Sequence, residues 1–245
     1  MGPYDGVVQT LTIETLTYDR VAKTIDHSLL RPELTLDEIR DGCELAARYD
    51  VASVCARPAD VDLARGILAG TRVAVGTVIG FPHGANLTAT KVVEAERAMA
   101  DGATELDMVM NIGWLRSGAD HRVEADIRAV VETAHAGGAI VKVILENAYL
   151  TKDEIVRGCQ AVERAGGDYV KTSTGFAPSG ATLEDLILMR ASVGPDVKVK
   201  AAGGIRTLDA LIEVMNVGTD RCGATKTAEM LDEFRTRKAA ASARA

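Results

Sequence analysis

Short apolar segments rich in β-branched residues alternate with longer amphipathic segments along most of the chain. Eight apolar segments have the length and composition of buried strands: residues 24–27, 51–55, 72–79, 104–110, 139–145, 168–171, 196–200 and 219–222. Between and after them, helical spacing of apolar residues predicts helices at about residues 35–49, from 58 onward, 87–100, 120–136, 151–166, 182–193, 207–218 and from the eighth strand to about 237. Residues 1–18 are less regular and are compatible with either a short strand or a lid.

Residues at the predicted helix ends support this division of the chain. Thr35 and Thr151 stand where an N-cap is expected, because a threonine hydroxyl accepts from the free N–H groups of a first helical turn. Pro58 is a residue type favoured in that first turn, and Asp101-Gly102 is typical of a helix end.

Eight strand–helix units within 245 residues predict one closed (β/α)8 TIM barrel with a parallel sheet. The alternative is an open, doubly wound sheet. It would need a glycine-rich turn after the first strand to bind a nucleotide, and residues 26–32 contain no glycine. We predict an N-terminal extension at residues 1–22, the barrel at 23–237 and a frayed C-terminal tail at 238–245.

Composition narrows the class of protein. The net charge of −7 disfavours nucleic acid or an anionic membrane as a partner, and no apolar segment is long enough to cross a bilayer. No secretory signal is evident at the N-terminus. The cysteines form no CxxC pair and are typical of reduced thiols in a cytoplasmic protein; they are Cys43, Cys55, Cys159 and Cys222.

Four of the nine lysines lie on predicted strands, where lysine is unusual: Lys142, Lys171, Lys198 and Lys200. Glu105 and Asp107 share one face of the fourth predicted strand because side chains alternate along a strand. If these faces point inward, the barrel interior holds four cations and two anions. Such a surplus of cations suggests a site that lowers the pKa of a lysine.

Lys171 ends the sixth predicted strand, and a hydroxyl-rich turn with a glycine follows it. Catalytic groups of such barrels lie at this end of the strands. Lys171 is therefore either part of an interior ion pair or an amine nucleophile that forms a Schiff base. Lys200 lies on the neighbouring strand and would activate it, although spacing alone does not decide which lysine attacks. Asp107 is either a counter-ion or a carboxylate that relays protons.

Glycine-bearing turns follow strands six, seven and eight, and loops at this place in barrels commonly bind phosphate. They contain Gly175, Gly203, Gly204, Gly223 and Ala224. The four histidines are scattered, and His27 with His83 alone would make a poor metal site, so we predict neither a metal nor a cofactor. Cys55 is more typical of a small buried apolar residue than of a nucleophile.

With these residues in view, the chain closely resembles the deoxyribose-phosphate aldolases from about residue 23 to 230. The motifs DYVKTSTG at 168–175 and KAAGGIRT at 200–207 are the strongest match, supported by ELD at 105–107 and GFPHG at 80–84. The resemblance implies that Lys171 forms the Schiff base, Lys200 is the second active-site lysine and Asp107 relays protons. It also implies that three residues bind the substrate: Asp26, Lys142 and Thr172. It implies that five others lie at the phosphate: Gly175, Gly203, Gly204, Gly223 and Ala224.

The activity implied by the resemblance is reversible, metal-independent cleavage of a small phosphorylated sugar, 2-deoxy-D-ribose 5-phosphate, with a homodimer and a homotetramer both open. Phe176 stands where some members have lysine, and residues 223–226 lack the serine of many members. Both departures concern the phosphate end. The rivals are a keto-acid aldolase, which would need an arginine at the mouth, and a phosphosugar-binding barrel without turnover.

Overall fold

The structure is a computed structural model, and it describes residues 10–243 of the chain. Eight parallel strands occupy its centre: β1 (Ile25–Leu29), β2 (Ser53–Ala56), β3 (Ala74–Ile79), β4 (Glu105–Val109), β5 (Ile140–Ile144), β6 (Tyr169–Lys171), β7 (Lys198–Ala202) and β8 (Arg221–Ala224). They form a closed barrel in chain order, and β8 pairs back onto β1. The predicted (β/α)8 barrel is therefore confirmed, and the open sheet is excluded.

Helices surround the barrel and connect successive strands. They are α1 (Tyr18–Ala22), α2 (Leu36–Tyr49), α3 (Val61–Leu68), α4 (Thr88–Asp101), α5 (Ile112–Arg116), α6 (Asp120–Ala136), α7 (Lys152–Ala165), α8 (Leu183–Ala191), α9 (Leu208–Asn216) and α10 (Thr227–Ser242), with 3-10 turns at Pro58–Asp60 and Asn147–Tyr149. The pattern predicted neither α5 nor the second 3-10 turn, because segments this short have too few residues to show a period. Within residues 10–243, no helix is both long and apolar enough to cross a membrane.

Local sequence sets several helix ends as predicted. Thr35 and Thr151 each form a capping box, in which the threonine hydroxyl accepts from the third helical N–H and a glutamate accepts from the threonine N–H. Gly102 closes α4 with a φ of 115°, a left-handed conformation that glycine adopts without a steric penalty.

The apolar core lies between the outer face of the barrel and the helices. A second, small apolar cluster lies inside the barrel and consists of Leu30, Cys55 and Val78, with Phe81 packed against it. This cluster lies beside the carboxyl ends of β1, β2 and β3, because Leu30 follows β1 and Cys55 and Val78 lie on β2 and β3.

Two strand boundaries differ from the prediction. β7 and β8 continue two residues further than expected, so Gly223 and Ala224 lie on a strand and not in a turn. Closure of the barrel explains the difference, because Gly223 pairs with Ala202 on one side and with Asp26 on the other. Parallel pairing uses the backbone, and the apolar pattern of side chains does not reveal it.

Residues 238–242 of the predicted frayed tail belong to α10, which continues to Ser242. Lys238 extends its ammonium group to the carbonyl oxygens of Ile13, Glu14 and Leu16 at 3.1, 2.8 and 2.9 Å. These bonds tie the end of α10 to the N-terminal segment, which from residue 10 contains a turn and α1 and no strand. Residues 1–9 of the predicted extension lie outside the described residues, and its boundary at residue 22 stays a prediction.

Candidate active site

The strand register brings the interior lysines and Asp107 together. Lys171 on β6 pairs with Lys200 on β7, and Asp107 on β4 pairs with Lys142 on β5. Because side chains alternate along a strand, all four point into the barrel. Each is at most 3% exposed to solvent.

Asp107 is the centre of this cluster. Its Oδ2 accepts from Lys171 Nζ at 2.6 Å and from Lys200 Nζ at 2.7 Å, and its Oδ1 accepts from Lys142 Nζ at 2.9 Å. One carboxylate therefore links both lysines that the sequence nominated as nucleophile and activator. Proton transfer between Lys171 and Asp107 needs no further group, because the two atoms are already within hydrogen-bond distance.

Two further carboxylates and an arginine complete the charges of the interior. Asp26 Oδ2 lies 2.5 Å from Lys200 Nζ, and its Oδ1 accepts from Arg221 Nη1 at 2.5 Å. Glu105 accepts from Lys142 Nζ at 2.7 Å and from Arg221 Nη2 at 3.1 Å. Opposite charges thus alternate through the interior and offset the desolvation of each buried ion.

The predicted balance of four cations and two anions is wrong in two respects. Lys198 is exposed, with its ammonium 5.6 Å from the ring centroid of Tyr169, and it does not join the buried cluster. Arg221 and Asp26 join it instead, and Asp26 was predicted only as a substrate-binding residue. The cluster formed by the described residues therefore has four cations and three anions: Lys142, Lys171, Lys200 and Arg221, and Asp26, Glu105 and Asp107.

The three lysines differ in the direction of their pKa shifts. Burial lowers the pKa of Lys171, and the nearby Lys200 cation lowers it further, while Asp107 opposes both. Burial acts on Lys200 too, but Asp107 and Asp26 outweigh it and raise its pKa. The same balance raises the pKa of Lys142 well above its ordinary value. Of these three amines, Lys171 is the one displaced toward the neutral, nucleophilic form.

The pKa of Asp107 lies well below that of a free carboxyl group. Burial works against its charge, yet Lys142, Lys171 and Lys200 together more than compensate. Asp107 is therefore ionised in the resting site, and the three ammonium groups around it stabilise its charge.

A cavity of about 330 Å³ opens above this cluster at the carboxyl ends of the strands. Lys171, Lys200 and Asp26 line its floor, and the walls include the five residues predicted from the glycine-bearing turns, which are Gly175, Gly203, Gly204, Gly223 and Ala224. The cavity thus brings together an amine, an activating cation and backbone from three successive strand ends.

A family model described as DeoC/LacD family aldolase matches residues 20–225, which is most of the chain. The chain belongs to the DeoC/LacD aldolase family. The resemblance noted in the sequence is thereby confirmed.

Relatives of this DeoC/LacD aldolase are similar over nearly their whole length. A deoxyribose-phosphate aldolase of Rhodopirellula baltica is 49% identical over 218 residues, covering 89% of this chain and 90% of the relative. Deoxyribose-phosphate aldolase 2 of Bacillus licheniformis is 52% identical over 205 residues, covering 84% and 92%. A solved structure of the tetrameric deoxyribose phosphate aldolase from Aeropyrum pernix superimposes with a TM-score of 0.83 at 30% identity, covering 90% and 93%.

Two predicted substrate-binding residues of this DeoC/LacD aldolase do not line the cavity. The Thr172 hydroxyl donates to the Ala202 carbonyl oxygen at 3.1 Å and accepts from the Ala202 N–H at 3.0 Å, so it ties the end of β6 to that of β7. Lys142 is 1% exposed and is surrounded by carboxylates. Thr172 and Lys142 therefore support the residues of the cavity floor, whereas Asp26 lines the cavity itself.

Two arginines that the sequence did not nominate also line the cavity, Arg31 after β1 and Arg206 after β7. Their position in the sequence could have indicated this, because both arginines follow the carboxyl end of a predicted strand. Arg31 contacts Glu33 at 3.1 Å with both side chains 63% exposed, so this ion pair holds the guanidinium only weakly.

The cysteine and the histidines that the sequence analysis considered lie in surroundings typical of structural residues. Burial raises the pKa of the Cys55 thiol to about 11, which agrees with its prediction as a small apolar residue. His27 is joined to Thr227 through Nδ1 and Oγ1 at 2.8 Å. Across residues 10–243, the side chains of His, Cys, Asp and Glu nowhere form a group of three that could hold a metal ion.

Proposed function

We propose that this chain reversibly cleaves 2-deoxy-D-ribose 5-phosphate to D-glyceraldehyde 3-phosphate and acetaldehyde through a Schiff base on Lys171. One observation carries the proposal above the others. Of the three lysines around Asp107, Lys171 has a lowered pKa, and it also reaches the cavity floor. The names of the similar aldolases supply the substrate.

The first half of the reaction forms an iminium ion. Lys171 transfers a proton to Asp107 across their 2.6 Å hydrogen bond, and the neutral amine attacks C1 of the open-chain sugar. The carbinolamine then loses water. Lys200 keeps its proton and its positive charge, which disfavours reprotonation of the amine beside it.

The second half uses the iminium ion as an electron sink. The C3 hydroxyl loses its proton, the C2–C3 bond breaks and its electron pair forms an enamine, while C3 becomes the aldehyde of glyceraldehyde 3-phosphate. Protonation of the enamine at C2 and hydrolysis release acetaldehyde and restore Lys171. In our proposal Asp107 relays these protons, and Asp26 binds the substrate beside Lys200.

Backbone N–H groups are proposed to bind the phosphate. Among the described residues, the backbone hydrogen bonds leave the N–H groups of Gly175, Gly203 and Gly204 without a protein acceptor, which supports an anion site there. Gly223 and Ala224 contribute the neighbouring wall, and the two cavity arginines add positive charge. Such a cradle would not depend on a lysine at position 176.

We also infer a cytoplasmic enzyme that acts on a small phosphorylated sugar without nucleic acid or membrane partners, as a homodimer or a homotetramer. The four cysteines are free and buried, in keeping with a reducing compartment. The relative from Aeropyrum pernix is a tetramer, which supports the homotetramer as one of the two alternatives.

The deciding experiment is borohydride reduction with substrate present, followed by location of the adduct by mass spectrometry. We expect a covalent adduct on Lys171 in the parent protein and none in Lys171→Met. An adduct on Lys200 or Lys142, with Lys171 unmodified, would contradict the assignment. The proposal needs no metal, so chelators should leave turnover unchanged, and recovery of a lost activity with zinc would refute that part.

A keto-acid aldolase remains the second candidate, because Arg31 and Arg206 at the cavity are the arginines that a substrate carboxylate would require. Trapping in the presence of pyruvate separates the two functions. Preferential trapping of pyruvate on Lys171 would favour the second candidate, whereas preferential trapping of acetaldehyde would support the first.

A further inference from the structure

Glu146 is a buried carboxylate in an unusual backbone conformation beside the cavity. It is 2% exposed and has a φ of 59°, which disfavours side chains other than glycine by about 1–2 kcal/mol. Within residues 10–243 it forms no ion pair with a lysine, arginine or histidine. Two unfavourable features at one position near a reactive site suggest that the residue has a function there.

The carboxylate of Glu146 binds the turn that follows the reactive lysine. It accepts from the Thr174 N–H at 3.2 Å and from the Thr174 hydroxyl, and that hydroxyl in turn accepts from the Phe176 N–H at 3.0 Å. The next residue, Asn147, donates its N–H to the Thr172 carbonyl oxygen at 3.0 Å. The loop after β5 therefore binds the turn directly at Thr172 and Thr174, and the Thr174 hydroxyl extends these bonds to Phe176.

The inner side of this turn faces the cavity. Thr174, Gly175 and Phe176 all line it. Because Glu146 takes both donors of Thr174, these are turned away from an anion in the cavity, while the Gly175 N–H remains free of a protein acceptor in the described chain. Gly175 has a φ of 91°, and glycine can adopt many other backbone conformations. Its N–H therefore keeps one direction only if contacts with neighbouring residues hold the turn in place.

We propose that Glu146 is a positioning residue that orders the turn 172–176 and thereby makes the site prefer phosphorylated over unphosphorylated substrates. The inference rests on the proposed aldolase function and adds a residue that determines substrate preference. Glu146 does not touch the reacting carbon atoms. Its effect passes through Thr174 to the phosphate end of the cavity, while Lys171 belongs to a strand that is held by its neighbours.

The test compares Glu146→Gln with the parent on 2-deoxyribose 5-phosphate, on unphosphorylated 2-deoxyribose and on acetaldehyde trapping. Glutamine keeps the shape but has no charge and offers one acceptor oxygen where glutamate offers two to the donors of Thr174. We expect KM for the phosphorylated sugar to rise about tenfold or more, which corresponds to about 1.4 kcal/mol. Turnover of the unphosphorylated sugar and trapping of acetaldehyde on Lys171 should each change by less than about twofold, which is much smaller than the expected change in KM.

Tyr149→Phe is the matched control, because Tyr149 lies in the same loop and is about half exposed to water. It should behave as the parent does. Equal losses on all three measurements for Glu146→Gln would assign Glu146 a purely structural role, and unchanged KM would refute the inference. A parent that neither cleaves the sugar nor traps acetaldehyde would instead refute the proposed function.

A second pair of variants keeps the inference testable if Glu146→Gln does not fold. Thr174→Val removes the hydroxyl that donates to Glu146, whereas Thr174→Ser retains it. We expect Thr174→Val to reproduce the selective rise in KM and Thr174→Ser to restore most of the parent value. Identical kinetics for valine, serine and threonine at this position would overturn the proposal.

Discussion

The three lysines around Asp107 differ in how many carboxylates they contact. Lys171 contacts Asp107 alone, Lys200 contacts Asp107 and Asp26, and Lys142 has three carboxylates within 3.7 Å. Burial disfavours the charge of all three. The direction of each pKa shift follows the number of nearby anions, and the lysine with the fewest, Lys171, is the nucleophile that we propose.

Replacement of Lys200 by methionine should expose this balance. Without the Lys200 cation, the attraction of Asp107 acts on Lys171 with less opposition, so the pKa of Lys171 rises and the neutral amine becomes rarer at pH 7. Each unit of rise reduces that fraction tenfold, so we expect a loss of about tenfold or more at neutral pH. Because deprotonation restores the nucleophile, the loss should diminish as the pH is raised.

The measurement is the pH profile of adduct formation on Lys171 for the parent, Lys200→Met and Lys198→Met. Lys198 is the matched control, because it lies on the same strand but is exposed. A Lys200→Met profile that coincides with both others would leave Lys200 as a structural charge. Failure of alkaline pH to restore turnover, while adduct formation recovers, would add a proton-donor role for Lys200.

At the scale of elements, the loops after β6 and β7 are packed backbone against backbone at the cavity. The Ala181 N–H donates to the carbonyl oxygens of Ala202 and Gly203 at 3.0 and 3.1 Å. A Cβ atom added at Gly180 would lie 2.3 Å from the Gly203 oxygen, so only glycine allows this approach. Gly203 and Gly204 have φ values of 78° and 90°, and a side chain on either would strain the turn directly.

Gly180→Ala should therefore move the Gly203 turn without adding charge to it. We expect a rise of about tenfold in KM for the phosphorylated sugar, equivalent to about 1.4 kcal/mol, with trapping of acetaldehyde on Lys171 preserved. Gly66→Ala is the control, because an added Cβ there meets nothing within 4 Å and alanine favours the α3 helix. A similar KM for both variants would show that this contact does not shape the phosphate end.

For the whole molecule, a buried ion pair connects helices α4 and α6 to the strand that carries Asp107. Lys91 Nζ donates to Asp126 Oδ2 at 2.6 Å and to the Val109 carbonyl oxygen at 2.9 Å, and both charged side chains are fully buried. Burial lowers the pKa of Lys91, and Asp126 opposes the shift. Each ion is stabilised mainly by the other, so loss of one leaves an uncompensated charge.

Lys91→Met should reduce the free energy of unfolding in urea by about 3–5 kcal/mol, because the Asp126 carboxylate stays buried without its cation. The double variant Lys91→Met/Asp126→Leu should recover much of that loss. Arg97→Met is the control on the same helix, since its pair with Asp101 is exposed and should contribute at most about 1 kcal/mol. Equal losses for Lys91→Met and the double variant would contradict this account.

The sequence by itself determined the barrel, because strand and helix periods are encoded within windows of ten to twenty residues. It also determined the caps at Thr35 and Thr151, whose partners lie three residues away. Lys171 and Lys200 could be nominated together because consecutive strands of a barrel are neighbours. In each case the interacting groups are close in sequence or related by a regular repeat.

Only the tertiary structure shows that Lys171 has a lowered pKa while Lys142 and Lys200 have raised ones. These shifts depend on carboxylates from distant strands, such as Asp107, which lies 64 residues from Lys171 and 93 from Lys200. Arg221 meets Asp26 across 195 residues, and no local pattern announces such a pair. The hydrogen bonds between Glu146 and Thr174 likewise could not be predicted from the sequence. Charge states depend on all neighbours in space, and the closure of the barrel sets those neighbours.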